Sequence, residues 1–354
     1  MAKTIQLKIR NIIQETTDTV TLQFDVPTPD FAYRAGQSIT LIFNDLAAQP
    51  FRRSYSFSST PKIDKFPAIT VKRQTNGRAS TYLTRTVQVG DSLTALSPAG
   101  QFVLESKPKT SRDVILVGGG SGITPLFSLL KQTLTEEQKS RVLLVLANRN
   151  AANTIFNKKL ENWAERFPKQ LKIIHLWSNP LNTVSNFSNI EILQSRFSNY
   201  LFEDLIKREL QFAKKDAQLF ICGPEGLALK AQMILKFMKF PQRQVHREIF
   251  IIKKPFRPDS TRFVDSEVSI KFQDETHQVH VPAGQTILAA AEANNINLPY
   301  SCLSGICTTC AGTCTSGKVE MYTQEGHTDS ETGVGMVLTC VSYPVTEKVE
   351  MQIP

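Results

Sequence analysis

Long apolar runs are missing from this 354-residue sequence: nothing approaches the roughly 18 apolar residues of a membrane span, so no membrane insertion is expected. The opening stretch, MAKTIQLKIRNIIQETTD, has no apolar leader core and alternates like a strand, which predicts a reducing cytoplasm as the compartment. Internal repeats and low-complexity tracts are absent as well. Positive charge is scarce in one region only. Between Ser266 and Pro354 there are three Lys/Arg (Lys271, Lys318, Lys348) against ten Asp/Glu, a net charge of −7. The rest of the chain then holds 38 basic and 22 acidic residues, or +16, within a total of +9. An acidic module tethered to a basic body follows, and its acidic face could steer a basic protein partner. Nucleic acid is excluded as a partner because the basic residues are scattered over strands and helices, without interleaved exposed aromatics. The length exceeds one core and predicts two or three domains, and a hydrophobic fraction of 41% suits soluble folding.

Of the six cysteines, Cys302, Cys307, Cys310 and Cys340 follow the C-x4-C-x2-C…C spacing by which plant-type ferredoxins hold a 2Fe-2S cluster. Each iron needs two thiolates besides the bridging sulfides, so three cysteines on one loop and one from a distant segment close the site. In NLPYSCLSGICTTCAGTC the small residues Ser301, Ser304 and Gly305 let backbone amides turn toward sulfur. Zinc and disulfides are the alternatives. Zinc prefers paired C-x2-C knuckles or added histidines, whereas here one C-x2-C follows a four-residue gap and the fourth cysteine stands alone. Cys314 and Cys222 fall outside the quartet, and Cys314 reads as a small buried residue on the strand leaving the loop.

The first hundred or so residues read as short alternating strands (TVTLQFDV, SITLIF, AITVKR, SLTALSP), an antiparallel barrel over residues 1–108. From about Ser111 the pattern becomes DVILVGGG, RVLLVLANRN, LKIIHLWSN and AQLFICGPEG, buried runs each followed by a helix-length stretch. That predicts a doubly wound parallel sheet over 109–250. Residues 251–265, with Pro255 and Pro258, read as a linker, and 266–354 as a ferredoxin-like module: a hairpin, a helix, the cluster loop and a closing strand.

In the barrel, RRSYSFSS sets Arg53 and Tyr55 on one strand face beside Ser56. A flavin can use a flat ring to cover it, a guanidinium for phosphate and a hydroxyl for its ring edge, although four such residues also suit ordinary sheet surface. In VKRQTNGRASTYL a basic strand end carrying Lys72, Arg73 and Arg78 runs through Asn76-Gly77 into a short helix near Ala79 and Ser80. That is either an anion site or a solvated basic turn. The sheet opens on Gly118, Gly119, Gly120 and Gly122 followed by Thr124-Pro125, glycines that let backbone approach a dinucleotide. Ile123 stands where G-x-G-x-x-G would place its last glycine, so the dehydrogenase fingerprint is absent. Asn148 and Arg149 occupy the strand end where an NAD-specific site carries an acid, which favours NADPH over NADH, although an exposed arginine after a strand is also a common surface residue. Cys222 and Gly223 end a later strand, at the edge where open sheets bind ligands, although Cys222 also suits plain packing.

Together these motifs resemble the ferredoxin-NADP reductase superfamily. Their order resembles the multicomponent oxygenase reductases, the phenylacetyl-CoA epoxidase type above all. The resemblance implies FAD on Arg53, Tyr55 and Ser56, with Gly77, Arg78, Ala79 and Ser80 around its pyrophosphate. It implies a pyridine nucleotide at Gly118, Gly120, Thr124, Arg149, Cys222 and Gly223, and it brings Glu248 and Phe250 of REIF to the flavin. Ser56, Cys222 and Glu248 are the catalytic candidates on this reading. Two departures stand near the cluster: Met336 replaces a usual aromatic, and TQEGHTDSETG is longer and more acidic. The implied function is transfer of electrons from NAD(P)H through FAD and a 2Fe-2S cluster to a separate protein, a multicomponent di-iron oxygenase. The alternatives are a stand-alone reductase of quinones, flavin or nitro compounds, and a non-catalytic redox sensor.

Overall fold

Thr, Ile, Val and Phe at alternate positions make the N-terminal part strand-forming. In the computed structural model it contributes β1 (Thr4–Thr16), β2 (Thr19–Phe24), β3 (Ser38–Phe43), β4 (Phe51–Ser56), β5 (Ala68–Lys72) and β6 (Ser92–Leu96). The structure describes residues 4–26, 28, 31–44, 46, 51–179, 187–248, 250, 263–300, 303, 305, 309–322 and 335–354. Most of the expected linker, Cys302, Cys307 and the acidic stretch before Met336 lie outside the described residues. The chain divides into two compact units, the larger Ile5–Phe51 with Tyr55–Ile249 and the smaller chiefly Phe250–Pro354 together with Arg52–Ser54.

In the larger unit the first six strands run in the order β4-β3-β6-β1-β2-β5. An antiparallel bridge from Phe57, just past β4, to Ile69 on β5 joins the two ends into a barrel. Leu7, Leu22, Phe24, Ile39, Leu41 and Phe57 fill it, and α1 (Arg78–Arg85) adds Ala79 and Leu83 to that core.

The parallel sheet consists of β7 (Asp113–Gly119), β8 (Arg141–Asn148), β9 (Leu171–Trp177), β10 (Ile190–Leu193), β11 (Gln218–Cys222) and β12 (Val245–Glu248). Its order is β10-β9-β8-β7-β11-β12, with every neighbouring pair parallel. Side chains alternate between its faces. Val114, Leu116, Leu144 and Phe220 meet α2 (Ile123–Glu136) and α3 (Asn157–Arg166). Ile115, Val117, Val145 and Ile221 meet α4 (Asn199–Glu209) and α5 (Glu225–Phe237). Burial on both faces is why these strands read as unbroken apolar runs. Strand order reverses between β7 and β11, which makes their carboxyl ends the crevice for a ligand.

A buried polar clamp seats the barrel on α2. Thr60 Oγ1 donates to the Ser128 carbonyl at 2.9 Å, and Ser128 Oγ donates to the Ser59 carbonyl at 2.6 Å. Lys131 Nζ donates to the Ser58 carbonyl at 2.9 Å and pairs with Asp64. The chain just after β4 is thereby tied to the helix just after the glycine turn.

On β9, His175 is 2% exposed and its ring is tilted against Trp177 at 5.1 Å, and among the described residues its Nδ1 has no hydrogen-bond partner. Burial drives its pKa from 6.5 down to about 4. The neutral ring is native, so its contribution to stability is complete above pH 6.5 and is lost as pH falls toward 4, when the unfolded chain binds the proton first. The loss approaches about 3 kcal/mol. Urea unfolding at pH 7 and pH 4.5, followed by tryptophan fluorescence, is expected to show a smaller acid penalty for His175→Leu than for the parent; equal penalties would contradict this account.

The smaller unit contains β13 (Ser266–Phe272), β14 (Glu275–Val281), α6 (Ile287–Ala293), β15 (Ala311–Ser316), β16 (Val319–Met321), β17 (Met336–Leu338), β18 (Ser342–Pro344) and β19 (Lys348–Gln352). Five strands form a sheet in the order β14-β13-β19-β15-β17, and β16 pairs with β18. Val268, Ile270 and Phe272 of β13 face α6, whereas Glu267 and Lys271 face out. The β13–β14 hairpin turns on Gln273 and Asp274, both at positive φ, as a two-residue turn of that twist requires. The pair β13–β19 is parallel within an otherwise antiparallel sheet, and α6, capped by Thr286, lies across it in the manner of a β-grasp ferredoxin.

Candidate functional site

Arg53 and Tyr55 stand two apart on β4, both half-buried, and Ser56 is buried. Lys72 ends β5 and pairs with Asp18 at 3.6 Å. The chain then turns through Asn76, at φ +59°, into α1, which begins at Arg78. A Cβ on Gly77 would lie 2.5 Å from Ser80 Oγ, and that hydroxyl accepts from the Gln74 amide at 3.0 Å and donates to the Gly77 carbonyl at 3.2 Å. Ser80 is therefore engaged in shaping the turn, and Ala79 faces the core. The first-turn amides, with no acidic side chain among them, and the Arg78 guanidinium, 5.1 Å over the Phe51 ring, form the part of this corner suited to a phosphate. Those residues fit a flavin nucleotide.

At the switch point, Gly118 ends β7 and Gly223 follows β11. A Cβ on Gly122 would fall 1.9 Å from the Cys222 carbonyl oxygen, so glycine is what lets α2 start against the end of β11. Gly120 differs. It sits at φ +55°, and nothing lies within 4 Å of where its Cβ would be, which leaves an open cradle of backbone for a dinucleotide. The Gly120 amide donates to Asn148 Oδ1 at 3.2 Å, and Thr124 Oγ1 donates to the Ser121 carbonyl at 3.0 Å. Arg149 is exposed beyond β8. Sequence reasoning placed Asn148 at the right strand end but missed its hold on the glycine turn.

The register Cys222↔Glu248 sets those two residues side by side at the carboxyl edge. Ser56 Oγ of the barrel donates to Glu248 Oε2 at 3.1 Å. Ser56, Cys222 and Glu248 thus converge, although they are far apart in sequence. Burial pushes the Glu248 carboxyl up to about 7 against the pull of the Ser56 hydrogen bond, and burial together with the Glu248 charge pushes the Cys222 thiol well up. Cys222 is therefore a neutral thiol at neutral pH, whereas Glu248 is close to half-protonated. Phe250 is exposed.

In the smaller unit, Cys310 precedes β15 and Cys340 follows β17. The pairing Ala311↔Leu338 brings these ends together across thirty residues of sequence. The Thr339 amide and hydroxyl both donate to the Cys310 carbonyl at 3.1 Å. The two Sγ atoms stand 3.3 Å apart, both buried. That exceeds the roughly 2.05 Å of a disulfide and suits two thiolates on one metal centre. Leu303 and Gly305, described residues of the loop between Cys302 and Cys307, both have positive φ, as a tight loop demands. The thiols that are described fit the cluster. Cys314 corrects an expectation: it lies on β15 but is only half-buried, its Sγ 3.4 Å from the Ser316 carbonyl oxygen.

Three family models match in sequence: an oxidoreductase FAD-binding domain over residues 6–104, an oxidoreductase NAD-binding domain over 116–233 and a 2Fe-2S iron-sulfur cluster binding domain over 270–345. The ferredoxin reductase component of 3-ketosteroid-9-alpha-monooxygenase from Rhodococcus rhodochrous is 30% identical over 363 residues, covering 99% of this chain and 97% of that protein. The chain belongs to the oxygenase reductase components of the ferredoxin-NADP reductase type. As a member of that family it is an NAD(P)H-dependent oxidoreductase with FAD and a 2Fe-2S cluster as cofactors. A component of 1,2-phenylacetyl-CoA epoxidase from Escherichia coli (strain K12) is 27% identical over 349 residues, covering 97% of this reductase and 96% of that component. The fold matches phthalate dioxygenase reductase with a TM-score of 0.58 at 22% identity, over 99% of this chain and 98% of that one. Among the described residues, no helix is long and apolar enough to cross a membrane.

Proposed function

We propose that this reductase takes reducing equivalents from NADPH in preference to NADH and passes them to a separate multicomponent di-iron oxygenase of the phenylacetyl-CoA epoxidase type. The observation that carries the reading is the meeting of Ser56, Glu248 and Cys222 at the switch point, where a barrel hydroxyl touches a carboxyl of the nucleotide domain. When bound, FAD and the cluster convert the electron pair of a nicotinamide into single-electron deliveries. Arg53, Tyr55, Lys72, Gly77, Arg78, Ala79 and Ser80 would hold the flavin nucleotide. Gly118, Gly120, Gly122, Thr124 and Gly223 would cradle the pyridine nucleotide, with Arg149 at its 2′-phosphate, and Phe250 would cover the flavin. Ser56 and Glu248 manage a proton at Ser56 Oγ, and Cys222 excludes water as a neutral thiol. Cys302, Cys307, Cys310 and Cys340 would ligate iron.

The reading also takes 1–108, 109–250 and 266–354 as the three working domains and the cytoplasm as their compartment. The acidic charge of the last domain supports delivery to a protein acceptor. A second reading, an oxygenase acting on a 3-ketosteroid, is favoured by the higher identity to that reductase, 30% against 27%. Mixing the purified chain and NADPH with the oxygenase subunits of phenylacetyl-CoA epoxidase is expected to give epoxide. Product only with the 3-ketosteroid oxygenase would transfer the assignment, and rapid quinone or nitro reduction with neither oxygenase served would indicate a stand-alone reductase.

A further inference from the structure

A cavity of about 320 Å³ opens along the seam between the barrel and the nucleotide domain, away from every residue assigned above to flavin, nucleotide or cluster. Its volume lies in the range of small-molecule sites, about 300–1,000 Å³. Sequence periodicity builds it. Val20, Leu22 and Phe24 of β2 fill the barrel, so Thr21 and Gln23 line the cavity from the other face of that strand. Across from them, Lys159, Asn162, Trp163 and Arg166 of α3 recur at i, i+3, i+4 and i+7 and present one helix face. Phe127 and Lys131 of α2 complete the wall beside the clamp residues Ser58, Ser59 and Asp64.

Aromatic rings and cations are paired around it. Lys131 Nζ lies 4.7 Å from the centre of the Phe127 ring, Lys159 Nζ 5.1 Å from Phe156, and Arg166 Cζ 4.8 Å from Trp163. The lining holds three cations and one carboxylate, Asp64. Asp64 is taken by the buried Lys131, and Lys159 pairs with Glu15 at 2.5 Å. Arg166, exposed at the end of α3, rests on Trp163 and Phe167 and has no carboxylate partner among the described residues. The Arg166 guanidinium stands over the Trp163 and Phe167 rings, which stack on each other at 5.4 Å, and a cation at this end of a lining of apolar rings and small hydroxyls matches a ligand with a ring at one end and a carboxylate at the other.

We propose that this seam cavity binds a small aromatic carboxylate, its ring against Phe66, Phe156 and Trp163 and its carboxylate on Arg166. Because both domains supply walls, the ligand bridges them and stabilises their junction. A bare anion would engage the arginine without the rings, and an alicyclic acid would lose the stacking.

The test uses FAD-loaded protein and benzoate. Trp163 is one of two tryptophans, so in a Trp177→Phe background its fluorescence reports the cavity directly, and calorimetry on the parent chain reads the same binding if that variant does not fold. Saturable quenching by benzoate is expected, unchanged by saturating NADPH, accompanied by a raised thermal midpoint and weakened by about tenfold or more in Arg166→Glu. Cyclohexanecarboxylate and inorganic phosphate are expected to bind more weakly than benzoate. Quenching that stays linear, affinity untouched by Arg166→Glu, displacement by NADPH, or phosphate binding as tight as benzoate would each overturn the assignment.

Discussion

Cys310→Ser is expected to abolish delivery of electrons to one-electron protein acceptors while leaving the front half of the enzyme intact. Cys310 is 1% exposed, sits 3.3 Å from Cys340 through Sγ, and has its carbonyl pinned twice by Thr339. Serine keeps the size and the backbone contacts but replaces a soft thiolate with a hydroxyl, a poor ligand for iron in a ferredoxin site. Cytochrome c reduction should fall to background, with loss of the visible absorbance and of iron and labile sulfide. NADPH-ferricyanide turnover should persist, because ferricyanide can draw electrons from the flavin in the larger unit. A variant that kept its flavin yet lost ferricyanide turnover would show that the cluster does not lie downstream. A variant that kept both iron and cytochrome c activity would remove Cys310 from the ligand set.

The division of labour behind that prediction was legible in the sequence wherever a local pattern carries a structural consequence. The apolar runs that became β7, β8, β9 and β11 stand out because both of their faces are buried. The edge strands β10 and β12 were not singled out as strands. IEIL and VHRE are four residues each, half-exposed, and β12 buries only Val245. The cysteine spacing identified the cluster because ligand count and loop length are local quantities, whereas the approach of Cys340 depends on a strand pairing that spacing alone does not display. Long-range polar contacts were the least visible. Lys131 reads as one lysine in the apolar stretch LFSLLKQTL, and only the folded chain shows it bonded to Ser58 and Asp64. The seam cavity has the same origin, since a strand face and a helix face from separate domains must meet before it exists.

Glu248→Gln and Glu248→Ala are expected to part company, and the difference tests what the Ser56 contact does. A serine hydroxyl has one hydrogen. When Glu248 is a carboxylate it takes that hydrogen at 3.1 Å, as in the present geometry. When Glu248 is protonated it can donate to Ser56 Oγ instead, which would free the hydroxyl hydrogen for an acceptor of a flavin held beside Ser56. Burial places the changeover at about pH 7. Ser56 therefore donates onward below that pH and has its hydrogen withheld above it, so reduction by NADPH should slow as pH rises through about 7. Glutamine carries a permanent N–H donor at the same place, so Glu248→Gln should keep the low-pH rate and lose the pH dependence. Alanine neither withholds the hydroxyl hydrogen nor orients it, so Glu248→Ala should also lose the pH dependence but settle below Glu248→Gln by about tenfold, the worth of the lost orienting hydrogen bond. Stopped-flow flavin bleaching between pH 5.5 and 8.5 separates these outcomes. A Glu248→Gln profile that still bends near pH 7 would assign the titration to another group and reduce the Ser56 contact to a structural one.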